Sequence, residues 1–179
     1  DWSRHDYRDC NIENYIPAIE QLADMGYYVV RMGVVVEQKL KCQHERIIDY
    51  ASNGMRSELM DIYLGAKCTF CISSVTGFDA IPNIFRRPIV YINVVPWGGV
   101  HSFRSDYISI LKKLRWQESG KFLSMKEMFA SGVAFFNQSE FYNKEGVELI
   151  ENTPEEIIDV VLEMERFIRG ELHLNQEDQ

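Results

Sequence analysis

Residues 68–95, CTFCISSVTGFDAIPNIFRRPIVYINVV, decide how the chain reads: strand, small polar turn, short helix, strand. Residues 68–72 are an apolar run of strand length that stops at Ser73-Ser74-Val75-Thr76-Gly77, where hydroxyl and small side chains replace bulk. From there to Phe85 the spacing of Phe78, Ile81, Ile84 and Phe85 is helical, and Pro82 is compatible with it in the first turn, where its missing N–H removes no intrahelical bond. Pro88 opens the next strand, predicted over 89–93.

Such a unit sets a helix N-terminus, with its free N–H groups, just beyond the carboxyl end of a strand. Anions bind there. Ser73, Ser74 and Thr76 would add hydroxyl donors, and Gly77 would let a phosphate come close to the backbone. The same residues also read as an ordinary N-cap. Their surroundings decide between the two.

Working upstream, residues 58–64 predict a short helix capped by Ser57, with Leu59, Ile62 and Tyr63 on one side and Gly65 as its stop. Residues 46–50 suit a short strand, 51–56 a turn and 34–45 a connection. Residues 27–32 form an almost unbroken apolar run, as in a strand covered on both faces, ending in Arg31 and Gly33 at the carboxyl edge where α/β proteins bind ligands. A helix begins at Tyr15, with Asn14 as N-cap and Gly26 as stop, and residues 1–11 read as a charged loop.

Downstream of the decisive stretch, a loop holding Trp97, His101 and Arg104 precedes a strand at 107–114. Ser124 caps a helix over 125–130, residues 137–145 read as an exposed connection, and 146–150 as a strand. Thr153-Pro154-Glu155-Glu156 is a strong helix start, and Ile157, Val160, Val161, Met164 and Ile168 give the buried stripe of a helix to about residue 169. Alternating strands and helices predict a doubly wound parallel sheet, Rossmann-like, over 1–170, with a polar tail at 171–179.

Composition bounds the function. A chain of 179 residues, 46% of them hydrophobic, suffices for one domain with a full core, and no apolar run has the length of a membrane span. The net charge of −8 argues against nucleic acid as partner. Cys68 and Cys71, three apart on a strand, point to opposite faces and cannot share a metal, so Cys10, Cys42, Cys68 and Cys71 read as reduced thiols of a cytoplasmic protein. The opening Asp1-Trp2-Ser3 has no initiator Met, and we expect a piece of a longer chain. Neither a dinucleotide fingerprint nor a P-loop occurs, and without an Asp-x-Asp pair no metal site and no cofactor are expected.

Four segments in this order, 6–33, 56–96, the pair ISILKKL and FLSMKEMF, and 146–164, resemble the C-terminal part of a group of bacterial glycosyltransferases from surface-polysaccharide clusters, of the two-domain GT-B architecture. The resemblance covers most of residues 6–165. It implies a domain that binds a nucleotide-sugar donor, with Ser73, Ser74, Thr76 and Gly77 on the diphosphate, Arg31 beside Gly33 as the cation, and Arg8, Arg56 and Asn93 as further candidates at the same edge. Asp79 would touch the sugar hydroxyls or else serve as a first-turn helix charge. It further implies a glycan or lipid-linked glycan acceptor, an N-terminal domain outside this sequence, and a place in the cytoplasm or peripherally at the inner membrane. The general base is unassigned, with His5 the one residue named for it. A nucleotide-sugar epimerase and a non-catalytic nucleotide or sugar-phosphate binding module are the alternatives.

Overall fold

The apolar run IVYINV becomes the middle strand of a parallel sheet in the computed structural model of the chain, which describes residues 3–101 and 103–172. This strand, β4 (Ile89–Val94), is buried at every position. It pairs in parallel with β3 (Cys71–Ser73) on one side and β5 (Tyr107–Leu111) on the other. A strand flanked on both sides and covered on both faces needs consecutive apolar side chains, which is what this segment supplies. Val90 and Ile92, with Ile72, Ile108 and Ile110 of the neighbouring strands, pack against α1 (Ile16–Asp24) and α6 (Pro154–Ile168). Ile89 and Tyr91 face the other way, with Cys71, Val75 and Tyr107. The architecture is therefore mixed α/β around parallel strands, with no closed barrel among the described residues.

A separate parallel pair, β1 (Val29–Val30) with β2 (Ile47–Ile48), follows α1. The strand expected over 27–32 thus shrinks to two residues. Among the described residues it has a partner on one side only, which leaves Val29 and Val30 half-buried and Tyr28 exposed. α2 (Glu58–Lys67) starts at Ser57, whose hydroxyl accepts the Met60 N–H, but it does not stop at Gly65. Gly65 lies inside the helix because a Cβ there would come within 2.8 Å of Ile81 Cγ2 on α3 (Ala80–Ile84). Contact of α2 with α3 passes through that glycine, so Leu59, Ile62 and Tyr63 turn to solvent.

After β5 the chain breaks at Lys112 and leaves the parallel sheet. β6 (Lys113–Trp116) runs antiparallel to β7 (Val147–Ile150), so the single strand expected over 107–114 is two strands in two sheets. Around β6 and β7 a second core gathers Tyr7, Val95, Leu114, Met128, Val133, Tyr142 and Val147. It includes α4 (Met125–Ser131) and α5 (Ser139–Lys144), the latter falling where a connection was expected. Tyr142 explains α5: it is buried against Tyr7, and its hydroxyl donates to the Phe136 carbonyl at 2.6 Å.

The strong helix starts fold as read. Ser124 and Thr153 each close a capping box, with Glu127 and Glu156, and Pro154 takes the first position of α6. Before α1, however, the cap is Asn11, which accepts the Glu13 N–H at the start of a 3-10 turn, while the Asn14 side chain donates to Glu151 instead. The expected loop at 1–11 contains the first 3-10 turn of the described chain, Ser3–Arg8. Residues 1, 2 and 102, and residues 173–179 of the expected tail, lie outside the described residues. Cys10, Cys42, Cys68 and Cys71 are unbridged and half-buried. No helix among the described residues is long and apolar enough to cross a membrane.

Candidate functional site

β3 ends at Ser73, and the hydrogen bonds of that residue shape the bend after it. The buried Ser73 hydroxyl donates to Asp79 Oδ2 at 2.9 Å and accepts the Val75 N–H at 3.1 Å. Val75 is held at φ +60°, a left-handed conformation that costs a non-glycine residue about 1–2 kcal/mol and is rare for a β-branched one. At the end of the adjacent strand Asn93 is also left-handed, at φ +57°. Left-handed residues thus mark the carboxyl ends of two neighbouring parallel strands, Val75 just past β3 and Asn93 one residue before the end of β4, at the edge where α/β sheets bind ligands.

Beyond Val75 the bend opens to solvent. Ser74 is half-buried, while Thr76 and Gly77 are exposed. The Thr76 side chain makes no cap hydrogen bond, and the space where a Gly77 Cβ would sit is empty. The chain then makes one 3-10 turn, Gly77–Asp79, and enters α3, a helix of five residues. A macrodipole is the sum of aligned peptide dipoles, so a helix this short contributes little to holding an anion. Side-chain charge has to supply most of it.

Asp79 forms the inner wall. Burial pushes its carboxyl above the usual aspartate range, while the Ser73 hydroxyl, the His101 charge, the Thr76 amide and the Arg8 charge work the other way without cancelling it. Tyr91 stands beside Ser73 in strand register. Its ring is edge-on to His101, with centroids 5.0 Å apart and planes at 84°. Tyr91 is 1% exposed, and its hydroxyl is buried with no hydrogen-bond partner among the described residues. Leaving such a group unsatisfied costs about 1–3 kcal/mol. Burial also raises its pKa, with the Asp79 charge adding to the shift.

The candidate residues divide into those brought to this bend and those engaged elsewhere. Arg8 ends the first 3-10 turn, lies over the Tyr7 ring at 5.6 Å, makes no ion pair among the described residues, and is near enough for its charge to favour the ionised form of Asp79. The turn that carries it is fixed by Lys112, which is 3% exposed and donates its ammonium to the Tyr7 carbonyl at 3.1 Å and the Asp9 carbonyl at 2.5 Å. Burial lowers the Lys112 pKa. His5, on the same turn, has its imidazole pKa lowered by burial and by Arg8 and Arg4.

Arg31 points into the 34–45 connection. Its Nη1 donates to the Gln38 carbonyl at 2.7 Å and lies 3.6 Å from Asp49 Oδ2, with the side chain 13% exposed. None of its hydrogen bonds or ion pairs among the described residues reaches the bend. Gly33 serves the same connection: at φ +155° it passes so close to Val36 that a Cβ would lie 2.9 Å from Cγ1. Arg56 is paired with Asp61 at 2.6 Å. Asn93 is buried and bonded to Asn152 and Tyr15.

The structure therefore assembles Ser73, Thr76, Gly77 and Asp79, with Arg8 within electrostatic reach of Asp79, and engages Arg31, Gly33, Arg56 and Asn93 elsewhere. Tyr91 and Lys112 escaped sequence reasoning, while His101 was placed in the loop after the strand without a tie to the bend. Tyr91 reads as one more apolar position in a buried strand, and nothing in the spacing of His101 or Lys112 relates them to a bend some 25 to 40 residues away. A groove at the carboxyl ends of α1 and α6, lined by Gln21, Asp24, Glu165 and Arg166, lies at the opposite end, where β1 begins. Comparison with protein-family models, curated proteins and solved structures finds no match to this chain.

Proposed function

We propose that this chain is the donor-binding part of a GT-B glycosyltransferase with a doubly wound, Rossmann-like core, moving a sugar from a nucleotide-sugar to a polysaccharide or other glycan acceptor. One observation carries the reading: the Ser73–Asp79 hydrogen bond shapes a strained bend at the carboxyl edge of a parallel sheet, and nearby lies the guanidinium of Arg8, which has no ion-pair partner among the described residues. The resemblance of its segment order to that of surface-polysaccharide transferases motivates it.

Breaking the bond between the sugar and the diphosphate leaves the electron pair on the β-phosphate oxygen. Groups that meet this charge more strongly in the transition state than in the bound donor accelerate the step. The exposed Thr76 hydroxyl, the backbone at Gly77 and Arg8 have the chemistry for this. Ser73 and Asp79 hold the bend, while Arg31 braces the loop beside β1. Acceptor binding and the general base belong, in this reading, to a further domain, with the enzyme working in the cytoplasm at the inner membrane.

Calorimetric titration with UDP-, GDP- and ADP-sugars tests the proposal. Binding of one class in the micromolar to millimolar range should weaken about tenfold in Arg8→Ala and stay within about twofold in Arg31→Ala. Absence of binding to every class, or equal losses in both variants, overturns it. A non-catalytic module with the same site would bind alike but show no donor hydrolysis or transfer alongside its acceptor domain. An epimerase would interconvert free nucleotide-sugars.

A further inference from the structure

On the face of the sheet that carries the bend, Ser73 of β3 and Tyr91 of β4 are register partners, and Ser73 is hydrogen-bonded to Asp79 at 2.9 Å. His101 reaches the same place from the loop after β4, its ring edge-on to Tyr91 at 5.0 Å and tilted against Phe103 at 5.6 Å. Tyr91 is nine-tenths buried by a wide margin, yet its hydroxyl has no partner among the described residues. The wall behind the bend thus holds one carboxyl, one imidazole and one unsatisfied hydroxyl.

From these contacts we infer that His101 is a second cationic contact for the donor diphosphate, taking up a proton as the ligand binds. The inference rests on the donor-binding reading and goes beyond it by assigning this site a protonation step. Charge bookkeeping at the bend supports it. Arg8 and an ionised Asp79 cancel, so the wall is neutral until His101 is protonated, whereas a diphosphate diester carries two negative charges. Histidine is the side chain that changes charge between pH 5 and 8 with small changes in surroundings.

The groups facing His101 fit this role. Asp79, on the turn after the bend, is coupled electrostatically both to His101 and to Arg8. Tyr91 of β4 offers its ring, and Tyr107 of β5 packs on both Tyr91 and Phe103. Arg104, over the Tyr107 ring, is neutralised by its own ion pair with Asp106. An arriving diphosphate adds two negative charges beside these groups, and a proton on His101 meets them.

UDP-glucose and GDP-mannose are suitable probes because both phosphates stay singly ionised through this pH range. Calorimetry in two buffers of different ionisation enthalpy should show net proton uptake, and affinity should rise about fivefold from about pH 8 to about pH 6. His101→Gln should bind with an affinity that no longer varies over this pH range and should show no proton uptake on binding. The His101 imidazole resonance should titrate at higher pH with ligand than without. Unaltered proton uptake in His101→Gln, or an imidazole titration that ligand leaves in place, overturns the inference while leaving the donor-binding reading intact. A parent chain that binds neither probe nor any other nucleotide-sugar removes both.

Discussion

Asn93 and Asn152 exchange main-chain and side-chain hydrogen bonds in both directions. The Asn93 N–H donates to Asn152 Oδ1 at 2.8 Å, and the Asn152 N–H donates to Asn93 Oδ1 at 2.6 Å. Both residues are buried, and the pair joins the end of β4 to the approach of α6. Alanine at either position leaves a buried amide of the other without its acceptor, so each should cost about 2–4 kcal/mol. Asn93→Ala should lose about 1 kcal/mol more, because asparagine tolerates the left-handed φ of +57° better than alanine. Urea denaturation measures both. Losses below about 1 kcal/mol would show that water replaces the bracket at no penalty.

Gly65 sets two effects of opposite sign against each other. An alanine there gains up to about 1 kcal/mol of helix propensity. Its Cβ would also meet Ile81 Cγ2 at 2.8 Å, Ile81 Cβ at 3.2 Å and Phe78 Cζ at 3.3 Å, and overpacking of this kind costs about 1–3 kcal/mol. Gly65→Ala should therefore be destabilising on balance, lowering the melting temperature by about 2–4 °C in a chain of this length. A rise in melting temperature would mean that α2 and α3 separate freely.

Asp49 gives the chain an acid-labile contact. Burial alone would raise its pKa, but the Leu40 N–H, the Ser52 hydroxyl and the Arg31 charge together bring it below the ordinary value. An unfolded aspartate titrates near about 3.9. The stabilisation is thus present above that pH and disappears as pH falls through the lower folded value. Melting temperature should drop in this acid window, and the drop should be shallower in Asp49→Asn. Parallel curves for the two proteins would place the acid sensitivity elsewhere.

Capping residues were the most legible part of the sequence because their chemistry is local. Ser57, Ser124 and Thr153 each find their acceptor role within three residues, whatever the tertiary structure does. The order of strand, bend, short helix and strand was readable for the same reason, although β3 starts at Cys71 and Cys68, expected on that strand, instead ends α2. What could not be read depends on distant partners. Gly65 looks like a stop until Ile81 lies against it, Lys112 looks like a strand residue until the carbonyls of Tyr7 and Asp9 close on it, and α5 depends on Tyr142 meeting Tyr7. At the site the bend was visible, but the choice of arginine was not: Arg31 has an edge position in sequence and an engagement with Asp49 and Gln38 in space, whereas Arg8 sits in a segment without periodicity.

The grip of Lys112 on the N-terminal turn reaches further than its own bonds. Its backbone belongs to the seam between the two sheets, and the two carbonyls it holds flank Arg8 on either side. The lysine is thus a rivet between two hydrophobic bodies, and the reach of the guanidinium toward the bend is calibrated by a fastening that no ligand touches. Under the proposed function, selection for tighter ligand grip would act on position 112 as surely as on position 8, and a map of ligand contacts would leave that position blank.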